Sequence, residues 1–513
     1  MSNNHYDIII IGTGAGGGTL AHSLAGSGKK VLILERGSFL PREKANWDTV
    51  EVFQNDRYHT NEVWYDKQGK EIHPGTGYWV GGNTKVYGAA LFRLRKNDFE
   101  KVIHKNGISP EWPLKYQDFE PYYTEAEKLY DVHGKRGLDP TEPQMSRDYP
   151  YPAVSHEPRI QEIHDTLGTK GLHPFYVPLG IKLDEVNRRL SPCIRCDTCD
   201  GFPCLVHAKA DSDVNCVRPS LQNQNIHLVT EAKVRRLLTN SSGTEVTGVE
   251  TEIGGKSEIF SADVVVVACG AINSAVLLLR SANDKHPEGL ANRSGQVGRN
   301  FMKHQNGAML GVTKKQNPTI FQKTMAINDF YWGEEGFDFP MGHVQLLGKA
   351  NKDMLAADAP SFAPGLALEQ MAKHSIDWWI TSEDLPHQNN RVRVKGEKIY
   401  LDYSENNTEA FDRLQARWIE TLKSIDCADH VVPCSLYFRK KIPIQGVAHQ
   451  VGTCRFGEDA STSVLDIHCR THDIENLYVV DGSFFPSSAA VNPSLTIMAN
   501  ALRVGEHLLE RMK

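Results

Sequence analysis

The stretch YDIIIIGTGAGGGTLAHSLAGSGKKVLILERG, residues 6–37, decides the fold. Its two apolar runs, Ile8–Ile11 and Val31–Leu34, are short and bounded by turn residues, as strands buried on both faces of a parallel sheet are. Between them Gly12, Gly14 and Gly17 fit G-x-G-x-x-G and open a helix. Gly12 permits the tight turn, Gly14 lets the backbone approach a pyrophosphate, and Gly17 lets the helix pack closely on the strand. Free N–H groups and the dipole at the helix start favour phosphate there. Glu35 ends the second strand, 18 residues after Gly17, where a carboxylate accepts from an adenosine ribose hydroxyl. An Arg or Ser there would point instead to a 2′-phosphate. The unit predicts a dinucleotide site and does not choose between NAD and FAD.

The rest of the sheet is scattered. ADVVVVACGAINSAVLLLRS at 262–281 reads as a buried strand, a small-residue turn and a helix, and DIENLYVVDGSFFP at 473–486 as a strand ending in Asp481–Gly482. IHLVTEAKVRRLLTN at 226–240 reads as a strand pair of the same domain. Hundreds of residues separate these pieces, so another domain is threaded between them. In GYWVGGNTKVYGAALFRLRKNDFE, 77–100, Gly81 and Gly82 form a flexible loop beside aromatic and amide residues, and the charged stretch that follows reads as a helix start. In AVNPSLTIMANAL, 490–502, Asn492 is expected to cap a buried helix whose first residue is Pro493.

Composition narrows the class. The chain has 513 residues, room for two or more domains, and 40% apolar and 23% charged residues make it ordinary and globular. Lys and Arg number 57 against 63 Asp and Glu, a net charge of −6 that gives no reason to expect nucleic acid or an anionic membrane. The longest apolar runs, 7–11 and 264–268, are far too short to span a bilayer. A strand beginning within a few residues of Met1 leaves no room for a signal sequence, and no twin-arginine signal is present, so a soluble, cytoplasmic protein is expected.

Taken together, the N-terminal glycine motif, VGGNTKVYGAALFRLR, EDLPHQNNRVRV (383–394), HQVGT (449–453) and VVDGSFFP with VNPSLTIMANAL resemble the glucose–methanol–choline family of FAD-dependent oxidoreductases. The resemblance is strongest at the two ends of the chain. It implies an α/β fold: a Rossmann-like FAD-binding domain of non-contiguous segments (1–114, 205–302, 443–513) and an α+β substrate domain with an antiparallel sheet (115–204, 303–442). It implies that FAD is held by Gly12, Gly14, Gly17, Glu35, Gly82, Asn83, Val234, Asp481, Gly482, Pro493 and Ser494. It places His449 and Asn492 at the flavin, His449 as the base that takes the hydroxyl proton while hydride leaves for N5 and Asn492 as the amide that orients the hydroxyl. The helix beginning at Pro493 is expected to point its free N–H groups at the pyrimidine end of the ring. Some relatives attach FAD through a His in the glycine loop; Gly82–Tyr87 holds none, so non-covalent FAD is expected.

The activity so implied is oxidation of a primary or secondary alcohol, of a sugar or glycoside by preference, with reoxidation by O₂, a quinone or a cytochrome. Other readings are a hydroxynitrile-lyase-like FAD protein without net redox chemistry, a non-enzymatic flavin-fold carrier, and an NAD-dependent dehydrogenase. A carrier needs no base, which argues against the second. Oligomeric state has no signal in the sequence.

Four cysteines, Cys193, Cys196, Cys199 and Cys204, fall within twelve residues, with Cys216 further on. Such a run suits an iron–sulfur cluster or a structural zinc, or is a set of free thiols or short disulfides. Residues 269, 427, 434, 454 and 469, also Cys, are dispersed and read as small buried side chains. In SIDWWITSED, Trp378 and Trp379 must face opposite sides of a strand, so at most one can stack on a sugar.

Overall fold

The computed structural model describes residues 5–358, 364–425, 427, 440–441 and 449–513; Cys434 and the domain boundary expected at 442–443 lie outside them. Among the described residues, seven strands form the sheet announced by the glycine motif. His5–Ile11 is central, with Val31–Leu34 parallel on one side and Lys256–Val267 parallel on the other. Ile226–Val229 extends the sheet beyond Val31–Leu34, and Leu477–Val479 runs parallel to Lys256–Val267. The first half of Lys256–Val267 instead forms an antiparallel ladder with Val246–Ile253, which pairs with Ala232–Thr239. Ile8, Ile9, Ile10, Val31, Leu32 and Ile33 are wholly buried, with the helix Ala15–Leu24 and the strand Ala232–Thr239 packed against their strands. That helix and Ser494–Arg511 cross so closely that a Cβ on Gly505 would lie 2.1 Å from Ser23 Oγ.

Residues 226–240 do form two strands, but these do not pair with each other. Glu231 takes a left-handed conformation (φ 54°), and the chain leaves Val31–Leu34 to join the antiparallel ladder. The stretch after Leu91 is also not a helix start. Arg93 is buried and paired bidentately with Glu127, Nε and Nη2 each at 2.8 Å, and only the 3₁₀ turn Lys96–Phe99 follows. The guanidinium anchors this segment in the core, where its charge has to be matched.

The second sheet is antiparallel, in the order 440–441, Gln305–Val312, Ser375–Ser382, His343–Leu346, Met325–Ile327, Phe175–Tyr176. Its two faces divide the tryptophan pair as strand alternation requires. Trp378 is wholly buried against Trp418 of the helix Thr408–Ser424, ring centroids 4.7 Å apart. Trp379 lies on the other face with its cross-strand partners Ala308 and Gln345, and these three border the same cavity as the glycine turn.

Candidate active site

A cavity of about 720 Å³ runs between the two sheets. One end is the glycine turn. Gly12 has φ +100°, and a Cβ there would meet the Ala268 carbonyl oxygen at 2.4 Å; on Gly17 it would lie 2.1 Å from the Gly12 oxygen. Gly14 precedes the helix Ala15–Leu24 with open space where its side chain would be, so the first N–H groups of that helix look into the cavity. Gly16 belongs to the same device, unnoticed in the sequence: its Cβ would sit 1.9 Å from the Val480 oxygen.

Thr13 ties this turn to two other segments. Its hydroxyl donates to Glu35 Oε2 (2.6 Å) and accepts from the Gly81 N–H (3.0 Å). Glu35 also accepts from the backbone N–H groups of Thr13 (3.1 Å) and Gly37 (2.9 Å). Burial pushes the Glu35 carboxyl up, and these hydrogen bonds work against it. Gly82 and Asn83 start a 3₁₀ turn, Gly82–Lys85, in place of the expected flexible loop. Asn83 accepts from the Thr76 hydroxyl at 2.9 Å, and Lys85 is buried between Asp211 (3.0 Å) and Asp213 (2.9 Å). Val234 borders the cavity beyond Glu35.

Asp481 and Gly482 stand further along. The Asp481 carboxylate takes the Gly270 N–H (3.0 Å), the Ser274 hydroxyl (2.5 Å) and the Ser483 N–H (2.8 Å), joining the C-terminal strand to the helix Ala271–Arg280. Asn492, Pro493 and Ser494 also border the cavity. The helix starts one residue later than expected: Ser494 is its first residue and Pro493 its N-cap. The Pro493 carbonyl accepts the first helical bond, from Ile497 (3.1 Å), so the Asn492 side chain is not spent on capping. The earliest free N–H groups of that helix belong to Ser494 and Leu495.

His449 is brought to this place by backbone pairing. Met302–Lys303 and Gln450–Val451 form a short antiparallel ladder, and one further step in its register sets His304 opposite His449. The two rings are bonded Nδ1 to Nδ1 at 2.9 Å, and His304 Nε2 lies 3.2 Å from the Ser488 carbonyl. Burial brings the His304 imidazole down to about 4 and the His343 imidazole to about 3. Burial, then the nearby His304 and His343, hold His449 well below the ordinary 6.5. The ring of Trp379 lies 5.8 Å from that of His449. The loop before Asn492 is fastened residue by residue. Ala489, at φ 53°, donates to Glu383 Oε1 (3.1 Å), the Ala490 N–H to Tyr331 Oη (3.2 Å), and the Thr381 hydroxyl to the Ala490 oxygen (2.7 Å).

All expected cofactor residues except Gly17 border this one cavity, together with His449 and Asn492. Gly17 acts from behind, by helix packing. Thr13, Lys85 and His304 were not read from the sequence: a threonine inside a glycine motif, a lysine after it and a lone histidine carry no spacing signal. The cysteines behave differently. Cys193, Cys196, Cys199 and Cys204 are free thiols, and among the described residues no three His, Cys, Asp or Glu side chains group to hold a metal ion. Burial pushes the Cys193 thiol up to about 12, toward the protonated form.

Known proteins resemble the chain over nearly its whole length. The GMC oxidoreductase models match residues 6–306 and 386–501. The 6'''-hydroxyparomomycin C oxidase of Streptomyces lividus is 30% identical over 99% of this chain and 92% of its own. The paromamine 6'-oxidase of Streptomyces fradiae is 28% identical over 97% and 90%. Among solved structures, pyridoxine 4-oxidase from Mesorbium loti superposes with a TM-score of 0.68 at 18% identity, over 98% of this chain and 99% of its own.

Proposed function

The chain belongs to the GMC oxidoreductases, a family of FAD-dependent flavoproteins, and on that premise we propose that it oxidises the CH–OH group of a sugar or glycoside, with FAD held non-covalently. One observation carries the reading: His449 and Asn492 border the same cavity as a glycine turn in which Gly12 and Gly16 have no room for a side chain. The residues fit a dinucleotide. Glu35 and Val234 would hold the adenosine, the helix N-terminus after Gly14 the pyrophosphate, and Asn83, Gly482, Pro493 and Ser494 the ring. When bound, FAD supplies the two-electron acceptor for the hydride that leaves the alcohol carbon.

The chain's own groups do the rest. His449, neutral because it is buried, takes the hydroxyl proton at its ring nitrogen. The Asn492 amide, free of capping duty, orients the hydroxyl. Trp379 offers a flat apolar wall to the sugar beside the base. The N–H groups of Ser494 and Leu495 favour negative charge at their end of the cavity. Reoxidation uses O₂ or another acceptor. The two Streptomyces relatives, named as oxidases of aminoglycosides, support an amino sugar as the first substrate to try.

The test is product analysis. Incubation with an amino sugar bearing a free primary alcohol should give a product two mass units lighter, captured as a hydrazone. A panel of sugars and simple alcohols returned unchanged would overturn the reading. Acid precipitation should release all FAD into the supernatant, and flavin left on the pellet would contradict non-covalent binding.

A further inference from the structure

His304 does not itself border the cavity, but it is hydrogen-bonded to His449, which does. Ser488 offers a carbonyl oxygen, which can only accept, so His304 must donate to it from Nε2 at 3.2 Å. A wholly buried imidazole brought down to about 4 is neutral at pH 7 and has one N–H to give. His304 Nδ1 is then a bare lone pair. It faces His449 Nδ1 at 2.9 Å, and a hydrogen bond between those atoms needs one donor, so the donor is His449.

We infer that His304 is the positioning residue for the base: it locks His449 in the Nδ1–H tautomer and thereby presents an unprotonated Nε2 to the cavity. Free neutral imidazole of histidine prefers the other tautomer, in which Nε2 carries the proton and cannot take one from an alcohol. Three features fix the lock. The antiparallel register of Met302–Lys303 with Gln450–Val451 sets the two histidines opposite each other. The Ser488 carbonyl is held because the Ser488 hydroxyl exchanges hydrogen bonds with Asp384, accepting from its N–H at 3.2 Å and donating to its oxygen at 3.0 Å. The third is burial, which keeps His304 from gaining the second proton that would turn its Nδ1 into a donor. The charged groups facing His304 are Lys303 and Glu383, whose effects on it oppose each other. This inference rests on His449 being the base, but the tautomer exists whether or not an alcohol is turned over.

The holoenzyme labelled with ¹⁵N in its histidine rings reads the tautomer directly, with His449→Gln identifying the His449 signals. At pH 7 the expected spectrum has His449 Nδ1 protonated and Nε2 not. His449 with Nε2 protonated would overturn the inference whatever the activity. His304→Phe keeps the ring's shape and removes the acceptor; it should lose the Nδ1–H signature and reduce flavin about 10- to 100-fold more slowly, with KM little changed. His304→Asn restores an acceptor at the δ position and should recover most of the rate. Equal losses in the Phe and Asn variants, with the His449 signals unmoved, would assign His304 a packing role only. Failure of every variant and of the parent to oxidise alcohols, with the tautomer intact, would count against the proposed activity and leave the lock standing.

Discussion

The two ends of the cavity are built by different means. At the end proposed for the nucleotide, Gly12, Gly14, Gly16 and Gly17 lie within six residues. Gly12, Gly16 and Gly17 permit backbone-against-backbone contact, with Ala268, Val480 and Gly12 itself too near for a Cβ, and Gly14 leaves open space. At the end proposed for the reaction, His304, Trp379, His449 and Asn492 come from four segments spread over almost 190 residues. The first three are held by a side-chain hydrogen bond or strand register, and Asn492 follows a loop fastened at Ala489 and Ala490. The nucleotide end asks only that nothing be in the way; the reacting end asks for named atoms in named protonation states. A substitution at the first should cost binding or folding. One at the second should cost rate.

The sharpest break between the ends is His449→Ala. It should keep FAD and slow its anaerobic reduction by alcohol about 10²- to 10⁴-fold; loss of the flavin itself would show that the ends are not separable. Next comes Lys85→Ala on the nucleotide side, which leaves buried Asp211 without its cation while Asp213 keeps Arg218 at 2.9 Å. Breaking a buried pair costs about 3–5 kcal/mol, to be read by urea unfolding, and any residual holoenzyme should turn over normally. Thr13→Val removes the hydroxyl between Glu35 and Gly81 and should weaken FAD binding by about 2 kcal/mol, roughly 30-fold, in a fluorescence titration. Trp379→Ala should raise KM for a sugar about 2- to 10-fold and leave FAD affinity unchanged. The smallest effect is one of pH. A base held well below 6.5 stays neutral, so the flavin-reduction rate should be flat from about pH 8 down to 6.5. A protonation limb centred at 6.5 or above would place His449 in a wetter, less buried setting.

The same contrast explains what the sequence revealed. Gly12, Gly14, Gly17 and Glu35 were legible because sterics and spacing act within one β-turn-α unit. That His449 and Asn492 meet at one cavity was legible only through resemblance, since nothing local distinguishes a cavity-lining histidine from a core one. Asn492 was misread as a cap because Asn-Pro favours that position locally; the chain instead starts its helix after Pro493, which leaves the amide free. Arg93 and Arg95 looked like a charged helix start because their partners, Glu127 and Asp139, lie more than thirty residues away. His304 was invisible for the same reason: its meaning is a register shared with residues 450–451. The cysteine run is the reverse case, a strong local pattern that left cluster, zinc and free thiols open; among the described residues its thiols are free and do not group with other ligands.

The central claim is that one cavity binds FAD at its glycine end and an alcohol at its histidine end. The visible spectrum of the purified protein, recorded anaerobically before and after adding an amino sugar with a free primary alcohol, tests both halves at once. The account predicts oxidised flavin bands that bleach on addition. Flavin that stays oxidised against every sugar and simple alcohol would contradict it.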